Sequence, residues 1–148
     1  MEFNNRSIIG LALISFFGSL FFLGFPGEII FIVYTNIGYN IVLVFFIMLF
    51  FIMVAQFINY QIGYFIEKKW LENYIKHDKK HYHISLKKYD VYFILIFNIL
   101  PLPADLLSVF LGIIKYDLKK AMLYTFYGKI IKFLFLILLF FLLHFIKI

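Results

Sequence analysis

The sequence predicts an all-α membrane protein built as two inverted repeats, each a re-entrant helical hairpin followed by a transmembrane helix. Three observations predict it: an extreme apolar composition, proline-acid breaks inside two of four apolar blocks, and an uneven distribution of lysine. Of 148 residues, 64% are hydrophobic and 23% aromatic, with a mean hydropathy of +0.96, beyond the range of ordinary soluble domains. The apolar blocks run from Ile8 to Thr35, Ile41 to Ile66, Val91 to Ile114 and Ala121 to Ile146. Each reaches the roughly 20 residues that cross a hydrocarbon core. One polytopic domain is therefore expected, with repeat 1 at about 8–66, a basic connector at 67–90 and repeat 2 at about 91–148.

The first block begins with an arm from Ile8 to Phe25, which "GFPGEII" interrupts with Pro26, Gly27 and Glu28. A shorter arm to Ile37, a "NIGYN" turn and the span Ile41 to Ile66 follow. A secretory signal is disfavoured at the start, because Arg6 is a thin positive region and no small-residue cleavage site follows the apolar run. In the connector, Trp70, Leu71, Tyr74 and Ile75 recur at helical spacing among lysines, the pattern of an amphipathic segment on the membrane surface. His77 and His81, four residues apart, have cationic neighbours and read as solvated histidines, so no metal site is expected. In the third block, Pro101 and Pro103 forbid a continuous helix. They separate arms Val91 to Leu100 and Ala104 to Ile114, each about 15 Å long as helix and half the thickness of a core of about 30 Å. The clean span Ala121 to Ile146 ends the chain.

The lysines set the topology. Seven lie between Glu67 and Asp90, and Lys115, Lys119 and Lys120 lie between the third and fourth blocks. Four simple spans would put these connectors on opposite faces, against the positive-inside tendency. A third block that dips in and returns puts all ten on the cytoplasmic side. "FPGEII" is answered by "LPADLL" 77 residues later, and one hairpin plus one span makes a single net crossing, so the second copy is expected upside down relative to the first. Both termini then lie outside a cell membrane crossed by a multi-pass chain.

Glu28 and Asp105 are the candidate proton-coupling acids. A charge at bilayer depth costs about 2.5–3.5 kcal/mol even on insertion scales, so an acid kept there usually serves transport. The plainer reading is that each acid only stabilises the start of the arm that follows its proline. Lys129 and Lys132, three residues apart in "YGKIIKF", join Lys115 as candidates for binding an anionic headgroup, against a reading as interface anchors. Gln56 and Asn59 share a helical face and either line the cavity or make ordinary interhelical hydrogen bonds.

The chain has no cysteine and a formal charge of +6. No glycine-rich phosphate loop, zinc-binding histidine motif or nucleophile elbow occurs, so neither an enzyme nor a cofactor is expected. Membrane lipids are the expected partners, with a homo-oligomer as a further option and nucleic acid excluded.

The stretches "FPGEII", "NYQIGYFI" and "LPLPADLLSVFLGIIKYDLKKAMLYTFYGKIIKF" resemble the DedA superfamily, also described as SNARE-associated or VTT-domain membrane proteins. The resemblance runs from about Phe25 to Phe133. It implies two opposed re-entrant hairpins and movement of phospholipids or polyprenyl phosphates between leaflets, in some members linked to proton or sodium gradients. It carries Glu28 onto the family's first-hairpin acid. Many bacterial members hold arginines around the second proline motif, where this chain has Asn98 and Asp105; its cationic candidates are the lysines from Lys115 to Lys132. The function expected is lipid translocation or scrambling with possible proton coupling, the alternatives being a proton- or sodium-coupled transporter of ions or small solutes and a non-transporting membrane scaffold.

Overall fold

A computed structural model describes residues 5–20, 27–71, 90–100 and 104–146, all of whose regular elements are helical. Pro26, Pro101 and Pro103, expected as hairpin breakers, lie outside these residues, as do His77, His81 and the distal part of the amphipathic connector. The elements are α1 (Asn5–Gly18), α2 (Gly27–Asn36), α3 (Ile41–Ile66), α4 (Asp90–Ile99), α5 (Ala104–Ile113) and α6 (Leu118–Ile146). A π-helical turn, Glu67–Leu71, continues α3. Short, short, long thus occurs twice. Among the described residues, two helices are long and apolar enough to cross a membrane, Ile41–Lys69 and Leu118–Leu142.

The two halves share their turn chemistry at an offset of 77 residues. After α2, the amide of Gly38 bonds to Thr35 O (3.1 Å) and that of Tyr39 to Tyr34 O (3.2 Å), with Gly38 at φ 96°. After α5, Lys115 N bonds to Gly112 O and Tyr116 N to Leu111 O, both at 3.0 Å, with Lys115 at φ 52°. Each is a Schellman ending, in which a left-handed residue lets the last carbonyls of a helix find donors. An Asx cap follows in both halves. Asn40 Oδ1 accepts from Val42 N (2.9 Å) at the start of α3, and Asp117 Oδ1 from Lys120 N (2.8 Å) at the start of α6.

Two expected boundaries shift. The first arm, expected from Ile8 to Phe25, is helical over Asn5–Gly18 among the described residues, and bonds from Ser19 N to Phe16 O and Leu20 N to Phe17 O tighten the turn that follows. The last span starts at Leu118 instead of Ala121, because Asp117 supplies the cap.

The surface is apolar where that of a soluble protein is polar, and polar side chains share the interior with apolar ones. Phe46, Phe50, Phe65 and Phe135 are each more than 60% exposed, whereas Gln56, Asn59, Asn98 and Thr125 are buried. Such a surface suits hydrocarbon, against which apolar side chains need no burial. One apolar cluster joins Leu11, Ile30, Phe31, Val44, Met48, Ile52 and Phe133 from α1, α2, α3 and α6. A second joins Tyr60, Ile94, Leu107, Leu111 and Ala121 from α3, α4, α5 and α6. Between these clusters, the long helices bury Gln56 and Asn59 on α3 and Thr125, Lys129 and Lys132 on α6.

The packing of the halves is unequal. α5 lies closely along α3, whereas α2 touches α6 sparsely. Glycine explains the difference: a methyl group at Gly63 would overlap the Val109 carbonyl, and one at Gly112 the Tyr60 carbonyl. Small residues let helix backbones approach in lipid. Gly63→Ala must therefore separate α3 from α5, and we expect a loss of about 1–3 kcal/mol, read as a lower midpoint of thermal unfolding in detergent. Gly27→Ala, whose added methyl would meet only Ile52 and Met48 side chains at 3.7 and 3.8 Å, should change that midpoint far less.

Candidate functional site

The first turn of each short second arm carries amide donors without intrahelical acceptors. A carboxylate in that first turn is stabilised by these donors and by the helix dipole. Glu28 is the second residue of α2 and Asp105 the second residue of α5. Each acid reaches the long helix of the other half. Glu28 pairs with Lys132 on α6, and Asp105 accepts a hydrogen bond from Gln56 Nε2 on α3. Ser108, one turn beyond Asp105, donates to Gln56 Oε1, so the amide is held at both ends.

Lys129 lies buried within electrostatic reach of Asp105, Lys132 and Glu28. Two carboxylates and two ammonium groups thus balance in one layer between the two apolar clusters. In an apolar matrix that balance matters, because removing one member of a buried ion pair strands the other charge at a cost of about 3–5 kcal/mol.

The same layer satisfies the interrupted backbone. Lys132 Nζ donates to Leu100 O (3.3 Å), just past the end of α4. Asn59 Nδ2 donates to Ser19 O (2.9 Å), just past the end of α1. Each half therefore uses a polar side chain of its own long helix to cover the open end of its own first arm. Broken helices are tolerated at membrane depth only with such partners.

Of the residues singled out from sequence, Glu28, Asp105, Gln56, Lys129 and Lys132 converge. Neither Lys129 nor Lys132 snorkels: each is 8% exposed. Asn59 serves the end of α1. Lys115 lies elsewhere, pairing with Glu67 at 2.7 Å over the ring of Tyr64. Glu67 is eleven residues beyond Gln56, about 16 Å along the helix. Lys115 is thus not grouped with Lys129 and Lys132, since the turn before α6 leaves it at the base of that helix. Gly27 opens α2.

Sequence reasoning missed Ser108, Gly63 and Thr125. Gly128 lies against Asn98, whose Cβ would be 2.6 Å from a methyl placed there, and so lets α4 seat on α6. Asn98 Nδ2 bonds to Ile94 O at 2.8 Å, while Asn98 Oδ1 and Thr125 Oγ1 are buried with no hydrogen-bond partner among the described residues. The available signal was spacing. Ser108 follows Asp105 by one turn, and Thr125, Lys129 and Lys132 recur on one face.

Comparison with curated proteins and with solved structures finds no significant match. A family model described as the VTT domain matches residues 25–142. That stretch contains both acids, both buried lysines and both Schellman turns. The chain therefore belongs to the VTT-domain family, the domain of the DedA and SNARE-associated membrane proteins.

Proposed function

We propose that the protein translocates or scrambles an anionic lipid, a phospholipid or polyprenyl phosphate, between the leaflets of the cell membrane. The observation that carries this reading is the charge-balanced layer in which acids from both halves meet lysines of α6. Family membership supports a transporter-like role.

In this mechanism the two short-arm pairs are re-entrant hairpins of opposite sense, the first entering from outside and the second from the cytoplasm. A proton from water passes to the Glu28 carboxylate, which releases Lys132 still charged. The phosphate of an incoming headgroup takes over as its counter-ion while the acyl tails stay in lipid. Lys129 and Asp105 repeat the exchange one step deeper. The unpartnered oxygens of Asn98 and Thr125 suit bridging water along such a path. Deprotonation of Glu28 then displaces the phosphate and resets the pair.

Reconstitution in liposomes carrying labelled anionic lipid tests the reading. Leaflet exchange should rise with protein, and equal exchange in protein-free vesicles overturns it. Topology is checked separately by cysteine accessibility, since the native chain has no cysteine. Labels at Ser85 and Lys119 should react from the cytoplasmic side, and labels at Asn36 and Lys147 from outside. Asn36 and Lys119 on one side removes the inverted arrangement, and the fully reversed pattern overturns the orientation.

A further inference from the structure

An open groove of about 610 Å³ lies between α3 and α6, lined by Phe46, Phe50, Met53, Met122 and Phe126, with Lys119 as its charged residue. The volume falls within the range of about 300–1,000 Å³ typical of ligand sites. None of the acids or lysines of the buried layer lines it. Lys119 and Phe126 are seven residues apart, about 10 Å along α6, so the apolar walls run from the base of the helix into the adjoining half of a core about 30 Å thick.

The charges around Lys119 define what fits. It makes no ion pair among the described residues. Asp117 accepts from Lys120 N as the helix cap, and Glu67 pairs with Lys115. Lys119 and Lys120 thus leave this end of the groove with positive charge to spare, while the walls offer aromatic rings and pliable methionines suited to a flexible chain.

We propose that this groove holds one acyl chain of a resident anionic phospholipid whose phosphate pairs with Lys119. The lipid is stationary and lies apart from the Glu28 and Asp105 layer, so the site goes beyond the translocation reading and does not depend on it. A zwitterionic lipid can fill the same apolar volume, but its headgroup carries no net charge to complement Lys119. The expected signature is charge selectivity confined to the groove.

The test uses the full chain in vesicles with Trp70→Phe, which removes the one native tryptophan, and Leu123→Trp, which places a reporter on the groove wall. Brominated phosphatidylglycerol should compete for contact with this reporter about fivefold better than brominated phosphatidylcholine. Adding Lys119→Gln should remove the preference. A reporter at Phe135→Trp, on the lipid-facing surface outside the groove, should show none. Phe50→Trp on the opposite wall provides a second groove reporter should Leu123→Trp fail to fold. No preference in the groove, a preference that survives Lys119→Gln, or equal preference at Phe135→Trp overturns the proposal. Because quenching reads equilibrium occupancy, its failure leaves leaflet exchange untouched, and loss of exchange leaves this site untouched.

Discussion

Glu28→Gln should lower leaflet exchange in reconstituted vesicles by at least about tenfold, the factor carried by each ~1.4 kcal/mol, and should also destabilise the fold. Glutamine can still accept a hydrogen bond but cannot carry the charge that Lys132 faces, so the ammonium is left buried between a neutral amide and the Leu100 carbonyl with no direct counter-ion. Stranding one charge of a buried pair costs about 3–5 kcal/mol. Stability and activity separate in the double variant. Glu28→Gln with Lys132→Met removes both charges, so thermal stability in detergent should recover much of the loss. Exchange should not recover, because the lysine that receives the phosphate is gone. Wild-type exchange in the double variant would show that the pair is structural only.

The acids were legible from sequence for an energetic reason. A carboxylate inside an apolar block is too costly to persist without a partner, so Glu28 and Asp105 stand out against "FPGEII" and "LPADLL". The partners were not legible, because they come from the other half of the chain. Nothing local in "AQFINYQ" indicates that Gln56 meets Asp105 while Asn59 turns to the end of α1. That choice is made by where α5 crosses α3, which Gly63 and Gly112 set, and a glycine in an apolar helix gives no sign of what it faces.

The repeat was only half visible for a related reason. Gly38 advertises its left-handed turn, since glycine has no Cβ to clash. At the matching position Lys115 adopts the same region without that freedom, so "IKYD" hides a turn that "IGYN" declares. Proximity in the chain groups Lys115 with Lys129 and Lys132. Helical rise separates them: Lys132 enters the buried layer while Lys115 stays beside Glu67.

Asp105→Asn decides whether the second acid is a helix-start device or part of the pathway. An asparagine oxygen can still accept from Gln56 Nε2, so the chain from Ser108 through Gln56 to position 105 stays closed. What disappears is the negative charge that Lys129 and Lys132 sense. If the acid only favours the first turn of α5, its charge is worth about 0.3–1 kcal/mol against the helix dipole, and exchange should stay at the wild-type rate. The charge-balanced layer predicts otherwise. With Asp105 neutralised, Lys129 shares the single carboxylate of Glu28 with Lys132, and exchange should fall by about tenfold or more, each such factor being ~1.4 kcal/mol. Gln56→Leu provides the contrast, because it keeps the charge but leaves the Ser108 hydroxyl and the Asp105 carboxylate short of partners, at about 1–3 kcal/mol per group. A variant that unfolds earlier yet exchanges lipid when folded, set against one that folds normally yet does not exchange, would assign positioning to Gln56 and transport to Asp105. Normal exchange by Asp105→Asn would return the acid to a purely structural role.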